Sequence, residues 1–293
     1  MTVRKTLARA FRRLTGTRPQ PVATTGGTPI ARDRYFYLGP DQALVKLDNG
    51  LFLYVDPQDD HMSARIIADG HWESWVHACV LGLLKSGDRV IEVGANLGYY
   101  AVAMAQKVGP GGFLTSFEAN PRIAALTQKS LAFNGFAARS RVIPQAALNE
   151  PGEISFVVSR RNSGGGFVTY WEGQPYEDGV VLKVPAVRLD DTVSGPIDMI
   201  RIDAEGSEPF ILRGAEAILK ANRDIVLCLE WSVEQMGSRT SVSEFVDWLS
   251  DMGFGFWRMG FDSSLQPVAP ADMAGLDLCD VVMSRRDLTP PKA

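Results

Sequence analysis

Long apolar runs are missing: no stretch of the 293 residues approaches the ~18 apolar residues that a membrane-spanning helix requires. The basic N-terminus also lacks the apolar centre of a secretory signal. Cysteine is scarce. Cys79, Cys228 and Cys279 are odd in number, widely spaced and form no CxxC pair, which excludes a disulfide framework or zinc site and points to a reducing cytoplasm. They read as small buried apolar residues. Histidine is scarce, with only His61, His71 and His77. There is no G-x-G-x-x-G phosphate-binding fingerprint, no N-P-P-[YF] block for amino methylation and no Pro-Cys pair for attack on a pyrimidine ring.

What is present is an ordinary globular composition, 45% hydrophobic and 22% charged, with an uneven charge distribution. Residues 1–34 carry eight basic side chains (Arg4, Lys5, Arg9, Arg12, Arg13, Arg18, Arg32, Arg34) and one acid, Asp33, a net of +7. The chain as a whole is −4, so the remainder is −11. An acidic body argues against a nucleic-acid substrate. Val3, Leu7, Ala10, Phe11 and Leu14 recur at helical spacing, so residues 1–14 read as a basic amphipathic helix suited to reversible contact with an anionic membrane surface, or as a solvated tail. A Gly/Thr/Pro/Gln linker follows to Pro29.

Three divisions follow: a basic segment and linker (1–34), a small β unit (35–69) and a large domain (70–293). In the small unit, "LVKLDNGLFLYV" reads as a hairpin turning at Asn49-Gly50. Beyond it, strands and helices alternate. Strands are expected at Arg89–Val93, Phe113–Phe117, Arg141–Pro144, Ile197–Ile202, Asp224–Leu229, Gly253–Met259 and Asp280–Ser284. Helices are expected at Tyr99–Lys107, Arg122–Asn134, Pro209–Ala221 and Val242–Met252, and an antiparallel insertion at Ile154–Val158 and Val180–Val187 around the Gly-rich loop Ser163–Gly166. The alternation predicts an α/β fold with a doubly wound, mainly parallel seven-stranded sheet.

Three segments carry chemistry. In "VIEVGANLGYY" an apolar strand runs through a glycine turn into a helix, where ligands of open α/β sheets sit. Gly94 and Gly98 let backbone approach a ligand closely. With no G-x-G-x-x-G, the turn suits a ligand without phosphate. Glu92 complements the sulfonium and ammonium of S-adenosylmethionine. In "FEANP", Glu118 ends the next strand; it reads either as the carboxylate that accepts ribose hydroxyls or as a cap for the following helix. In "IRIDAEGSE", Asp203 and Glu205 lie just past a strand, with Glu230 at the neighbouring strand end. These acids serve either as general base for an acceptor hydroxyl or as ligands for Mg²⁺. His71 is the histidine candidate for the same base.

The segments "VIEVGANLGYY", "FEANP" and "IDMIRIDAEGSEPFILRGAEAIL", with Gly70-His71-Trp72-Glu73 upstream, resemble the FkbM-type methyltransferases over about residues 70–232. The resemblance implies a class I fold, S-adenosylmethionine as donor and a hydroxyl acceptor on a sugar, glycolipid or secondary metabolite such as a polyketide, hence a place in polysaccharide biosynthesis. It places Glu92, Gly94, Asn96, Gly98, Glu118, Asn120 and Asp203 on the cofactor side. Trp72, Trp231 and Tyr170-Trp171 are candidates for an aromatic wall against a sugar ring. The rival from the glycine turn and Glu118 alone is a nicotinamide-dependent oxidoreductase, which leaves the acidic loop unexplained.

Overall fold

The computed structural model describes residues 34–159, 161–169 and 179–288. The chain opens with β1 (Tyr35–Tyr37), β2 (Ala43–Lys46) and β3 (Phe52–Val55), an antiparallel three-stranded sheet in that order. The β2–β3 pair is the expected hairpin, and Gly50 adopts φ 84° in its turn. Two helices that the strand pattern did not announce come next: α1 (Met62–Asp69) and α2 (Ser74–Leu83). The local cause of α1 is Asp59, whose carboxylate takes the backbone N–H groups of His61 and Ser63 at 2.9 and 3.0 Å.

The α/β core follows as β4 (Arg89–Val93), α3 (Tyr99–Val108), β5 (Phe113–Phe117), α4 (Pro121–Phe133) and β6 (Ser140–Ile143). An insertion holds β7 (Ala146–Ala147), β8 (Gly152–Ser159), β9 (Phe167–Thr169) and β10 (Gly179–Val187), a separate sheet in the order β7-β10-β8-β9. The chain then returns through α5 (Leu189–Thr192), β11 (Met199–Ile202), α6 (Glu208–Arg213), α7 (Glu216–Ala221), β12 (Val226–Trp231), α8 (Val233–Gly237) and α9 (Val242–Asp251). It ends with β13 (Gly255–Met259), β14 (Leu265–Val268) and β15 (Cys279–Ser284). The single helix expected over Pro209–Ala221 is two. A Cβ at Gly214 would lie 2.1 Å from the Leu148 carbonyl oxygen, so the insertion's backbone crosses where the helix would continue.

The large sheet runs β14-β13-β15-β12-β11-β4-β5-β6. Its five strands from β12 to β6 are parallel; β15 runs antiparallel between β12 and β13, so β13 points the same way as the five. The seven expected strands are all present; β14 adds an eighth at the edge. Strands covered on both faces need continuous apolar sequence, and helices cover both here. One face packs Tyr100, Met104 and Leu131 together with Val45, Leu53 and Val55 of the small sheet. The other packs Ile211, Leu219, Phe245 and Leu249. The small sheet therefore shares its core with the large one. Chain order reverses at β4: β5 and β6 continue to one side, β11 and β12 to the other. The carboxyl ends of β4 and β11 meet at this switch point, the place where open α/β sheets bind ligands.

Among the described residues no helix is long and apolar enough to cross a membrane. The basic segment 1–33 and the Tyr170-Trp171 pair lie outside the described residues.

Candidate active site

A cavity of about 260 Å³ opens over the carboxyl ends of β4, β5, β11 and β12. Its floor is the turn after β4. The turn is fixed by backbone: Gly94 and Ala95 both donate to the Phe117 carbonyl, at 3.0 and 3.1 Å, and Asp203 N–H donates to Val93 at 3.0 Å. Gly94 lines the cavity at φ 79°. The demand for glycine there comes from the protein itself, because a Cβ would lie 1.8 Å from the Asp203 carbonyl oxygen. Gly98 does not reach the cavity; its missing Cβ makes room for Thr127 on α4.

Glu118 lines the cavity at the end of β5 and is 7% exposed. One carboxylate oxygen accepts the Asn96 N–H at 2.7 Å, the other the Asn120 N–H at 2.8 Å. Burial pushes its pKa up to about 7, against those two hydrogen bonds. Capping of α4 falls to Asn120, whose side chain accepts from Arg122 N–H, so Glu118 is free of that duty. Each Glu118 oxygen keeps a second lone pair for a ligand.

Glu92 does not line the cavity. It is fully buried beneath it, accepts from Ser116 Oγ at 2.7 Å, and sits 4.0 Å from Arg201. Its other oxygen has no hydrogen-bond partner, and burial raises its pKa to about 7. Arg201, unremarked in the sequence, organises this layer. It is 5% exposed, reaches Asp203 at 3.0 Å, and lies 3.7 Å over the Tyr100 ring. The signal was there: an arginine in the otherwise apolar β11, where an unpaired charge is costly.

Asp203, Glu205 and Glu230 all line the cavity, and so does Glu73, which the sequence reading left without a role. Glu73 accepts from Tyr100 OH at 3.0 Å; its pKa is raised by burial and by the Asp203 charge. Glu205 accepts from Gln235 Nε2 at 2.5 Å and is raised for the same two reasons. Glu230 is raised furthest, to about 9, by burial and then by Asp203, Glu205, Glu208 and Asp280. Asp280, opposite Glu230 on β15, is pushed to about 7 chiefly by burial. Despite this crowding, among the described residues no three His, Cys, Asp or Glu side chains are grouped to hold a metal ion. The Mg²⁺ expectation on Asp203, Glu205 and Glu230 lacks a ligand set: Asp203 is turned to Arg201, Glu205 to Gln235.

His71 is a second correction. It is exposed, with Nδ1 2.9 Å from Asp48, and lies outside the cavity. His61 lines it instead, edge-on to Trp72 with ring centroids 6.4 Å apart. His77 packs on α2 against Tyr99 and Tyr100. Trp231 belongs to the core: it is fully buried, stacks on Phe245 and donates to the Met273 carbonyl. The Gly-rich loop covers the cavity from the insertion's side. Residues 162–166 line it. Ser163 is tied to the buried Asp59 at 2.6 Å and Arg161 to Asp60 at 2.7 Å.

Among the described residues, four that are not glycine have positive φ: Glu73 (38°), Asn96 (48°), Glu205 (51°) and Ser263 (63°). Three of these four line the cavity. Such conformations cost of order 1–3 kcal/mol each and gather at functional sites.

Residues 92–256 match the family described as the methyltransferase FkbM domain. Protein-L-isoaspartate O-methyltransferase 1 of Archaeoglobus fulgidus is 36% identical over 58 residues, 20% of this chain and 27% of that protein. The chain spans about a quarter of the length of the curated relatives it matches. Among solved structures, a putative rRNA-methylase from Clostridium thermocellum is 12% identical with a TM-score of 0.44, covering 72% of this chain and 94% of that one. A methyltransferase FkbM from Methylobacillus flagellatus KT is 14% identical with a TM-score of 0.44, covering 69% and 45%.

Proposed function

The chain belongs to the FkbM-type methyltransferases, and from that premise we propose that it is an S-adenosylmethionine-dependent O-methyltransferase acting on a hydroxyl of a sugar, glycolipid or related small molecule. The observation that carries the reading is Glu118. It is a carboxylate at the switch point whose two oxygens are pinned by backbone N–H groups and still have lone pairs for vicinal ribose hydroxyls. The surrounding donor set fits the same cofactor. Glu73, Asp203 and Glu205 face Arg201, the one arginine or lysine lining the cavity among the described residues, so a positively charged ligand relieves their mutual repulsion. When bound, the cofactor supplies a methyl group activated by a sulfonium.

The chain's residues divide the remaining work. Asp203, held by Arg201, and Glu73 provide negative charge for the cationic part of the ligand. Glu205 takes the acceptor's hydroxyl proton. Burial and Asp203 move its pKa toward neutrality, where general bases are most effective. Glu230, raised to about 9, carries a proton at neutral pH and donates a hydrogen bond to an acceptor oxygen. Unequal environments thus give neighbouring carboxyls different roles. The Gly-rich loop and Trp72 exclude water and offer an apolar face to a sugar ring.

The glycan assignment draws on the family's frequent sugar acceptors. It goes with a location at the cytoplasmic face of a membrane, held through the basic residues 1–14. Calorimetric titration with S-adenosylhomocysteine, NADH and NADPH tests the cofactor: binding of a nicotinamide cofactor in place of S-adenosylhomocysteine overturns the reading. For the acceptor, surface polysaccharide of a deletion strain is compared with its parent. If every O-methyl sugar survives and labelled methyl enters only a small soluble product, the glycan part is wrong.

A further inference from the structure

Antiparallel sheets with one solvated face alternate apolar-in with polar-out. The three-stranded sheet breaks that rule. Its inner face, Ala43, Val45, Leu53 and Val55, is fully buried. Its outer face is also apolar: the register sets Phe36 beside Leu44 and Leu44 beside Tyr54, with Phe52 next to Lys46. Helix α4 extends this surface. Ser130 and Asn134 occupy the hydrogen-bonding edge of β3, accepting the N–H groups of Tyr54 and Phe52 at 2.8 and 2.9 Å. That places Phe133 against Phe52 and Tyr54, at ring-centroid distances of 5.1 and 6.0 Å. Phe36 is 41% exposed and Phe133 52%. Of the nine large apolar side chains exposed among the described residues, Phe36 and Phe133 sit on this outer face, while Tyr35 and Tyr37 alternate onto the other side of β1. An exposed apolar row of this kind marks an interaction site.

We propose that this face, with Phe36 and Phe133 inserted among the headgroups, docks on an anionic lipid surface. Charge selects the occupant. The apolar row is flanked by exposed lysines, Lys46 on β2 and Lys129 on α4, the latter 6.0 Å from the Tyr54 ring. The segment that runs directly into β1 carries the net +7 of residues 1–34. The charge of that segment and the two lysines attract the same anionic plane. Phenylalanine rings flanked by lysines suit the headgroup region, where the rings are buried and the lysine ammonium groups stay wet.

The inference deepens the membrane-side placement proposed above and does not depend on methyl transfer. It is tested by cosedimentation of the full-length protein with phosphatidylglycerol–phosphatidylcholine vesicles and with phosphatidylcholine alone. Wild type binds the anionic vesicles selectively. The F36S/F133S protein binds at least about tenfold more weakly, from lost apolar burial, and K46E/K129E falls by roughly fivefold or more per lysine. Both variants keep the wild-type melting temperature and mass in solution. If these variants bind as wild type does while removal of residues 1–14 abolishes binding, the face is not the docking surface, and the N-terminal segment alone holds the membrane. If wild type binds neither vesicle, the membrane-side placement falls and this inference with it. If wild type is a dimer that F36S/F133S splits, with no vesicle binding, the face is a self-association surface and the lipid assignment is wrong.

Discussion

Replacing Glu118 with alanine separates binding from folding, because two opposed terms act on stability and only one on the ligand. The substitution orphans the Asn96 and Asn120 N–H groups, which lie 2.7 and 2.8 Å from the carboxylate. Each loses about 1–3 kcal/mol unless water from the cavity replaces the acceptor. Against this, burial has raised the Glu118 pKa from 4.5 to about 7, so holding it ionised at pH 8 costs the fold roughly 3 kcal/mol. Alanine removes that cost. The two contributions partly cancel, and the unfolding free energy changes by no more than ~3 kcal/mol. Cofactor binding has no compensating gain. Loss of the charge-assisted ribose contact costs ~1.5–3 kcal/mol, a roughly 10- to 100-fold weaker S-adenosylhomocysteine complex. Calorimetric titration and urea denaturation of the same preparations at pH 8 measure both quantities. An affinity within about twofold of wild type in a folded variant refutes the ribose role.

Three further outcomes are expected. Glu205→Gln lowers turnover ~100-fold or more with little change in melting temperature, since it removes the base and keeps its hydrogen bonding; turnover within about threefold of wild type excludes Glu205 as the base. Arg201→Met leaves Asp203 and Glu92 without their cation and destabilises the protein by ~3–5 kcal/mol. Arg201→Lys restores part of that loss, and a methionine variant as stable as wild type shows that the ion pairs contribute nothing net. Stability of the ligand-free protein falls between pH ~5 and pH ~7. Burial raises Glu92, Glu118 and Glu208 to about 7 in the fold, above the ~4.3 of an unfolded glutamate. Stability from their retained protons is therefore full below pH ~4 and lost as pH rises through 7. A melting temperature that stays flat or rises over that range contradicts these assignments.

The strands were legible to within two or three residues because β4, β5 and β11 are covered on both faces and read as mainly apolar runs, broken only by residues such as Glu92, Ser116 and Arg201. The acids at their ends were legible for the same reason: a carboxylate terminating such a run has few structural uses. Less could be read where the determinants are three-dimensional. The split between α6 and α7 depends on Leu148, some 66 residues before Gly214. Sequence adjacency favoured His71, next to Trp72-Glu73, but the left-handed turn at Glu73 sends consecutive side chains in different directions. His61 reaches the cavity from the preceding turn. Trp231 follows Glu230 directly; in a strand neighbours face opposite ways, so the acid enters the cavity and the indole enters the core.

β15 lies between β12 and β13, so the last strand of the fold must slot between two made before it. Neither β12 nor β13 can complete its pairing on that side until residues 279–284 are in place. Such late, long-range closure is slow, and unpaired strand edges invite association with other chains. Asp280 arrives on that same strand, opposite Glu230. The electrostatic balance of the cavity thus depends on that closure, because Asp280 is one of the charges that sets the proton affinity of Glu230.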